Sequence, residues 1–403
     1  MPKTVCIVTD KAFVSGGQAK VAIDTAVLLA DRGLRVVFFA AVGPVDPALG
    51  HPGIEVVCLG QDDILRNANR LAAMVSGLWN RKAAQALDDL IGRLDPATTV
   101  IHCHGFAKAL SPAIGPVLSR SLVPVLFTMH EYFLACPNGG FFDYPANEIC
   151  ERRPLGPSCL TRNCDARHAA HKVWRVGRQA LTWGPGRLPK GLRHIAYLSD
   201  TQLEAMRPYL PSRADLHHLP NPVTVTTRDL ADPRSSRDFI FVGRLSPEKG
   251  GRIFAEAAAE ADVRCVFVGD GPERSEVERL NPDAVVTGWK SHDEVQRVMR
   301  GARALVFPSL WYETFGLVAY EAIAQGLPVI AGCRNAASEA LENGRNGVIL
   351  DRMDVSSLAH ALRALKDDTH AVFDGILQPA SRSVPTPETY ADRLLTIFDR
   401  MVA

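Results

Sequence analysis

No stretch of this 403-residue chain reaches about 18 uninterrupted apolar residues, so the sequence predicts no membrane-spanning helix. It also lacks a surplus of one charge. Its 45 Lys and Arg residues against 44 Asp and Glu residues give a formal net charge of +1, which disfavours nucleic acid as a partner. An apolar leader is missing as well, because Met1-Pro2-Lys3 leads directly into the strand-like run from Thr4 to Thr9. We therefore expect a cytoplasmic protein.

Cysteine is present but without the usual signatures of its structural roles. The chain has nine cysteines, an odd number without a secretion signal, so we do not expect a disulfide framework. Two CxxC knuckles, the strong signature of a zinc site, are absent. Four cysteines nevertheless cluster in an irregular region, and a structural zinc site, free thiols and a redox role all stay open for them: Cys136, Cys150, Cys159 and Cys164.

Short apolar runs alternate with helical segments twice along the chain. This alternation is typical of parallel sheets covered by helices, and it predicts an α/β protein with two Rossmann-like domains. The Pro-rich link 219–223 and the polar stretch 226–237 indicate a hinge. We assign residues 1–220 to the first domain, 221–385 to the second and 386–403 to a closing helix. Ligands of such sheets bind at the carboxyl ends of strands, so the cleft between the domains is the expected site.

Two carboxylates stand eight positions apart in the second half. Glu313 follows the strand-like run 304–309, and Glu321 is the only charged residue of the apolar segment 315–327, which we predict to be a buried helix. A buried carboxylate needs a hydrogen-bonding partner in the protein or in a bound ligand. The start of the helix lies between the two carboxylates and offers free N–H groups to an anion. This order fits a nucleotide sugar, whose diphosphate lies between two groups of hydroxyls, or a buried Glu that a backbone group satisfies.

A glycine turn with two cations stands upstream of the carboxylate pair. The segment 238–251 reads as a strand, a turn at Gly243, the cations Arg244 and Lys249, and a glycine pair that opens a helix. Such a turn lets backbone N–H groups and cations approach a diphosphate. The same charges could also be ordinary loop charges paired with Glu248.

The chain resembles glycosyltransferase family 4, the retaining enzymes of the GT-B fold. Four motifs carry the resemblance in the family's order, and two looser matches stand in the first half, at Ser15-Gly16-Gly17-Gln18 and at His130. The four motifs are GRLSPEKG from Gly243, VGDGPER from Val268, TGW from Thr287 and FPSLWYETFGLVAYEAIAQGLPVIA from Phe307. One departure from the family is the run Cys333 to Ser338, where members often carry Gly-Gly before the residue that matches Glu339.

The resemblance implies a role for each matching residue. Glu321 holds the ribose hydroxyls, Glu313 holds the donor sugar, and Arg244 and Lys249 neutralise the leaving diphosphate without a catalytic metal or other cofactor. His130 touches the sugar and counts with Glu313, Arg244 and Lys249 as catalytic. The remaining predicted donor contacts are Gly243, Thr314, Phe315, Gly316 and Leu317 near the phosphates, and Gly16 and Gly17 against donor or acceptor. The family also implies that the closing helix packs back on the first domain.

One segment is strongly basic although the whole chain is nearly neutral. From Arg152 to Arg193 there are ten Arg or Lys residues and one acidic residue, Asp165. Its central part, 167–183, reads as a helix with aromatic and aliphatic residues among the cations. The pattern suits an anionic membrane surface or a lipid-linked acceptor, and it equally suits a solvated basic helix whose apolar residues face the core.

We therefore predict a retaining glycosyltransferase that moves a sugar from a nucleoside diphosphate sugar to a glycan or lipid-linked acceptor in polysaccharide or glycoconjugate synthesis. Peripheral contact with the inner face of the membrane through 152–193 is part of this prediction. A sugar-nucleotide epimerase of the same architecture is the alternative. A dehydrogenase would require GxGxxG after the first strand, where Ser15 to Lys20 lacks that spacing. A silent binding module is a third reading.

Overall fold

The protein is built around two parallel β-sheets, one in each half of the chain. The structure is a computed structural model and describes residues 2–64, 67–225, 229–367 and 371–402, without the side chains of 380 and 381. Part of the predicted hinge, 226–228, therefore lies outside the described residues. Within them, the first sheet has seven strands, the second has six, and a two-stranded antiparallel hairpin lies apart from both.

The strands follow the chain in the order β1 to β15. The first sheet contains β1 (Thr4–Lys11), β2 (Arg35–Val42), β3 (Ile54–Cys58), β4 (Thr99–Cys103), β5 (Val125–Thr128), β8 (His194–Tyr197) and β9 (Asp215–His218), in the spatial order β3-β2-β1-β4-β5-β8-β9. The hairpin is β6 (Phe142–Asp143) with β7 (Glu148–Ile149). The second sheet contains β10 (Asp238–Val242), β11 (Arg264–Val268), β12 (Val285–Val286), β13 (Ala304–Phe307), β14 (Val329–Gly332) and β15 (Gly347–Leu350), in the order β12-β11-β10-β13-β14-β15.

Helices cover the two sheets. Those of the first half are α1 (Gly17–Asp31), α2 (Arg70–Leu78), α3 (Arg81–Ile91), α4 (Ile114–Arg120), α5 (Pro157–Thr161), α6 (Ala169–Trp183) and α7 (Asp200–Met206). Those of the second half are α8 (Gly251–Ala261), α9 (Arg274–Leu280), α10 (His292–Arg300), α11 (Leu317–Ala324), α12 (Val355–Lys366) and α13 (Val372–Gly375), and the chain closes with α14 (Pro387–Val402). Every strand pair recorded within the two large sheets is parallel.

The central strands are apolar along nearly their whole length because both sheet faces are covered. Seven of the eight residues of β1 are buried, and all four residues of β13 are buried. A strand covered on both faces shows a continuous apolar run and no alternation with polar residues. Because helices cover the sheet faces, a ligand can approach the strands only at their ends. The carboxyl ends of β1, β4, β10 and β13, where loops leave the sheets, are the expected positions for it.

The last helix belongs to the packing of the first sheet. Four residues of α14 lie in one buried cluster with α1 and β2, namely Tyr390, Leu394, Ile397 and Phe398. The Tyr390 hydroxyl lies 3.1 Å from Thr25 Oγ1, and Arg32 Nη1 lies 2.8 Å from Asp392 Oδ1. The chain thus crosses back from the second half next to the link 219–223, because the Val223 N–H donates to the Pro385 carbonyl oxygen at 2.8 Å just before α14 begins.

Candidate active site

A cavity of about 440 Å³ lies between the two halves at the carboxyl ends of their strands. Ten of the twelve residues predicted to bind or react with a donor line it, and Gly243 and Glu321 are the two that do not. The ten are Gly16, Gly17, His130, Arg244, Lys249, Glu313, Thr314, Phe315, Gly316 and Leu317. Folding therefore brings together residues as far apart in the sequence as Gly16 and Leu317.

Glycines shape the walls of this cavity where backbone segments approach each other. Gly16 has φ 148°, a conformation that L side chains rarely adopt, and it immediately precedes α1. A Cβ atom at Gly16 or Gly17 would meet no atom within 4 Å, so both glycines border open space. Gly243 has a different role, because a Cβ at Gly269 would lie 1.9 Å from the Gly243 carbonyl oxygen. Gly243 thus lies where β10 and β11 leave the sheet in close contact.

Glu313 is held by three donors at the cavity wall. Its Oε2 atom lies 2.7 Å from Lys249 Nζ and accepts hydrogen bonds from Trp311 Nε1 at 2.8 Å and Ser309 Oγ at 3.3 Å. Lys249 Nζ also lies 4.9 Å from the centre of the Trp311 ring. The family resemblance assigned Lys249 to the diphosphate of the donor and Glu313 to its sugar. In the structure, these two side chains contact each other. Sequence reasoning missed Trp311 and Ser309, although both stand within four residues of Glu313.

Arg244 is the second predicted cation and differs from Lys249 in its surroundings. Its side chain is exposed and lines the cavity just after β10. A planar guanidinium can bind two oxygens of a phosphate at once, whereas the Lys249 ammonium acts as a point charge. The two cations therefore offer different modes of contact to one anion.

Glu321 lies on α11, away from the cavity wall but still between the two halves. Its side chain is 7% exposed, and burial raises its pKa to about 7, an effect that the charge of Lys20 on α1 opposes. His292 Nδ1, at the start of α10, lies 3.9 Å from Glu321 Oε1. The sequence did not single out Lys20 or His292. Lys20 stands two residues after the Gly16-Gly17-Gln18 motif, and no motif marks His292.

The helix that carries Glu321 is shorter than predicted. The sequence placed it at 315–327, but α11 spans Leu317–Ala324. Gly316 before it has φ 82°, in the left-handed region, and Gly326 after it has φ 78°. Phe315 is buried and stacks on Tyr320 with ring centroids 4.1 Å apart. The free N–H groups therefore begin at Leu317, two residues later than predicted.

The loop between the two carboxylates is fixed by the first half of the chain. Thr314 Oγ1 donates to the His130 carbonyl oxygen at 3.2 Å, and Ser199 Oγ donates to the Thr314 carbonyl oxygen at 2.9 Å. Any ligand seated on this loop therefore contacts a segment that depends on both halves.

Glu339 provides a further link between the halves, at the place where the sequence departs from the motifs of the family that it resembles. The run 336–340 forms a single 3-10 turn. The Glu339 carboxylate accepts hydrogen bonds from Asp200 N at 2.9 Å, Thr201 N at 2.7 Å and Thr201 Oγ1 at 2.6 Å. These donors form the first turn of α7, where a negative charge is favourable. In this segment, Glu339 therefore connects the loop after β14 to the start of α7 in the first half.

Three histidines lie beside the cavity at the ends of β4 and β5. His104 Nδ1 lies 2.9 Å from His130 Nε2, and the two rings stack with centroids 5.2 Å apart. His102 Nε2 lies 2.8 Å from Thr128 Oγ1. Burial lowers the pKa of His130 to about 3, and nearby Lys108 contributes in the same direction. The His130 ring is therefore neutral at ordinary pH.

The floor of the cavity includes a buried carboxylate that the sequence did not single out. Asp10, near the end of β1, accepts backbone hydrogen bonds from Lys108 at 3.1 Å, Ala109 at 2.8 Å and Leu110 at 2.8 Å. These bonds fix the loop after β4 against β1. Burial raises the Asp10 pKa, while the three N–H groups oppose the shift. We assign Asp10 a role in fixing this loop.

The cysteine cluster does not support a zinc site. All four cysteines are buried, but the described parts of the chain contain no group of three or more His, Cys, Asp or Glu placed to hold a metal ion. The Lys172 ammonium lies 3.4 Å from Cys159 Sγ and 3.2 Å from Cys164 Sγ. Arg152 Nη1 lies 3.6 Å from Cys150 Sγ. Cations thus contact three of the four sulfurs, and the described residues give no support to the zinc alternative.

The basic helix turns several cations inward. On α6, Lys172 contacts the two cysteines, Arg175 Nε lies 3.1 Å from Asp165 Oδ2, and Arg178 donates to the Ala107 carbonyl oxygen at 2.8 Å. Val173 is 70% exposed on the same helix. Part of the positive charge counted in the basic segment therefore contacts other residues of the protein and does not face solvent. In the described ranges, no helix combines the length and the apolar character that crossing a membrane requires.

Comparison with known sequences places a family domain on the second half. Residues 236–368 match the family described as Glycosyl transferases group 1. The GDP-mannose-dependent alpha-mannosyltransferase of Corynebacterium glutamicum is 32% identical over 183 residues, which are 43% of this chain and 44% of that protein. The D-inositol 3-phosphate glycosyltransferase of a Mycobacterium species is 32% identical over 235 residues, 49% of this chain and 53% of that protein. The chain thus spans about half the length of the curated relatives it matches.

Comparison with solved structures covers nearly the whole chain. Sucrose-phosphate synthase from Thermosynechococcus elongatus superposes with a TM-score of 0.68 at 17% identity, covering 99% of this chain and 98% of that one. Anabaena HepE in complex with UDP and glucose gives 0.64 at 15% identity, covering 99% and 100%. With the two parallel sheets, these likenesses confirm the predicted GT-B fold. The second half carries a group 1 glycosyltransferase domain, as the motifs indicated.

Proposed function

We propose that the chain is a retaining glycosyltransferase that uses a nucleoside diphosphate sugar as donor. The observation that carries the proposal is the arrangement around the start of α11. Glu313 precedes the free N–H groups in the chain, Glu321 follows them on α11, and Arg244 and Lys249 line the same cavity as Glu313. The curated relatives it matches are named as glycosyltransferases, and the HepE structure was solved with UDP.

The proposed mechanism is electrostatic. As the bond between the anomeric carbon and the diphosphate breaks, negative charge grows on the leaving oxygens. Lys249, Arg244 and the first N–H groups of α11 stabilise that charge because they are fixed in advance. Lys249 is paired with Glu313, so it also screens this carboxylate from the negative charge of the diphosphate. Glu313 and His130 orient the donor sugar, and Glu321 holds the ribose.

We place the acceptor in the cavity that adjoins the donor site. This cavity has a volume of about 950 Å³, and the segment Ser309-Leu310 lines it. Ser309 also contacts Glu313, so the cavity reaches the wall that we assign to the donor sugar. Its remaining wall combines four Arg residues with four carboxylates, a mixture that suits the many hydroxyls of a glycan: Glu148, Glu151, Arg152, Arg153, Arg334, Asp351, Arg352 and Asp354.

The experiment that tests the function combines donor binding with product analysis. A panel of UDP-, GDP- and ADP-sugars is scanned for a rise in melting temperature, because a ligand that binds only the folded state stabilises it. The stabilising donor is then incubated with glycan acceptors, and NMR of the product is expected to show the same anomeric configuration as the donor. Release of an isomerised nucleotide sugar without acceptor would establish the epimerase instead. Inversion of configuration would contradict the retaining assignment.

Contact with an anionic membrane belongs to the proposal through the exposed part of the basic segment. A groove of about 660 Å³ lies beside Trp183 and Tyr209 and includes Arg153 and Lys190. Aromatic rings flanked by cations suit the interface of an anionic bilayer.

We expect the chain to cosediment with vesicles of anionic lipid at low salt and to be released as salt rises. The double variant Arg153→Gln with Lys190→Gln should bind more weakly. Arg363→Gln, on the exposed face of α12, is the matched control. Equal binding to neutral vesicles would contradict the electrostatic contact.

A further inference from the structure

The hydrogen bond between His104 and His130 determines which ring nitrogen of His130 carries its proton. The bond joins His104 Nδ1 and His130 Nε2 at 2.9 Å, so one of these atoms is protonated and the other is not. Both rings are neutral, since burial lowers the pKa of each. A neutral imidazole has one N–H and one bare nitrogen. The nitrogen that carries the proton in His104 therefore determines which nitrogen carries the proton in His130.

The buried side of His104 decides between the two arrangements. Its second nitrogen, Nε2, is buried without a hydrogen-bond partner among the described residues. If His130 donated the bond, His104 would carry its own proton on Nε2, as a buried N–H with no acceptor. Orphaned buried N–H groups are rarer in proteins than acceptors with an unused lone pair. His104 therefore donates from Nδ1 and keeps Nε2 bare.

We propose that His104 is a positioning residue that fixes His130 in the Nδ1–H form, so that His130 presents a hydrogen-bond donor to the substrate. His130 lines the cavity, and its Nε2 atom is taken up by His104. Nδ1 is then the nitrogen left for a ligand, and it carries the proton. The group suits a substrate oxygen with lone pairs, a sugar hydroxyl or a phosphate oxygen, and it cannot serve as a general base. This assignment rests on the proposed function only for the identity of the ligand.

A general base would need the opposite arrangement, with a bare nitrogen facing the acceptor hydroxyl. In the proposed arrangement, His130 therefore does not act as a general base. In the proposed reaction, the proton of the acceptor hydroxyl passes to the departing diphosphate, which gains negative charge as its bond to the sugar breaks. Neither step takes a proton to His130.

The test reads the tautomer directly in the protein without ligand. The chain is labelled with ¹⁵N-histidine, and long-range ¹H–¹⁵N correlation spectra distinguish protonated from bare ring nitrogens. The signals of His130 are those that disappear in His130→Gln. We expect its Nδ1 to be protonated. A spectrum with the proton on Nε2 overturns the proposal, whatever the enzyme transfers.

Three variants separate positioning from packing. His104→Phe keeps a ring but removes the donor, and we expect the His130 pattern to change and kcat to fall about tenfold, the lower end of the loss known for removal of the hydrogen-bond partner of a metal-ligating histidine. His104→Asn retains a donor near the same position and should keep both the pattern and kcat. His102→Phe is the matched control, because this neighbouring ring contacts Thr128.

Melting temperatures accompany all three variants. If His104→Phe is too unstable to study, the comparison of His104→Asn with His102→Phe still decides the question. Retention of the Nδ1–H pattern in His104→Asn and in the control supports the proposal. Loss of the pattern in His104→Asn while the fold is intact overturns it, and so does an unchanged pattern with unchanged kcat in His104→Phe.

Discussion

Replacement of Lys249 by methionine is expected to lower kcat of the proposed transfer by roughly 10²- to 10³-fold, the usual cost of removing one preorganised charge from a reacting centre. Methionine retains much of the aliphatic stem and removes the ammonium, which lies 4.9 Å from the centre of the Trp311 ring and 2.7 Å from Glu313 Oε2. The loss falls on kcat more than on donor affinity, because the charge on the leaving diphosphate grows only in the transition state.

The same substitution leaves Glu313 with two of its three donors, so an indirect effect through that carboxylate must be measured. The double variant Lys249→Met with Glu313→Gln isolates the coupling between the two side chains. Lys290→Met is the control, since this lysine is paired with Glu294 on the surface of the same half. Steady-state kinetics with the donor found in the panel give the comparison. A kcat within about threefold of the unmodified protein would remove Lys249 from the mechanism.

Much of the site could be predicted because its residues lie in short motifs next to strands. Glu313, Arg244 and Lys249 each follow the end of a β-strand, and parallel strands bring such ends to one edge of the sheet. Local sequence therefore contained the information needed to place them together. The fold class could be predicted for the same reason, since apolar runs alternate regularly with helices. The short strands β8 and β9 were not predicted. They follow the basic segment 152–193, in which apolar runs do not alternate regularly with helical segments.

The partners of the motif residues could not be predicted, because they depend on how the two halves meet. Lys20 and His292 flank Glu321 from positions far away in the sequence, and no periodicity relates them. The role of Glu339 at the start of α7 is of the same kind. The inward cations of α6 show a second limit of the sequence. Composition counts the charges of the basic segment but does not show that Lys172 contacts Cys164 or that Arg175 pairs with Asp165.

The effect of removing Glu321 on donor affinity is expected to be as large as the effect of removing Lys249 on turnover. A carboxylate that accepts two ribose hydroxyls makes two hydrogen bonds to a charged group, each contributing about 1.5–3 kcal/mol. Glu321→Ala should therefore raise the donor Kd by roughly 10²-fold or more. Calorimetric titration with the nucleotide alone measures this without turnover. Glu278→Ala, an exposed substitution in the same half, should leave the Kd unchanged.

The pH dependence of binding gives the sharper form of this prediction. Burial raises the pKa of Glu321 to about 7, so the free protein holds it protonated below that pH and loses the corresponding stability as pH rises through about 7. The ribose hydroxyls require the ionised form, so binding must release a proton, and affinity should fall up to about tenfold per unit as pH drops below 7. Burial lowers the pKa of His292, so this neighbouring imidazole is neutral near pH 7 and does not supply the released proton there. Glu321→Gln should bind weakly and with no such slope; a slope that persists would assign the proton to another group and remove Glu321 from the ribose site.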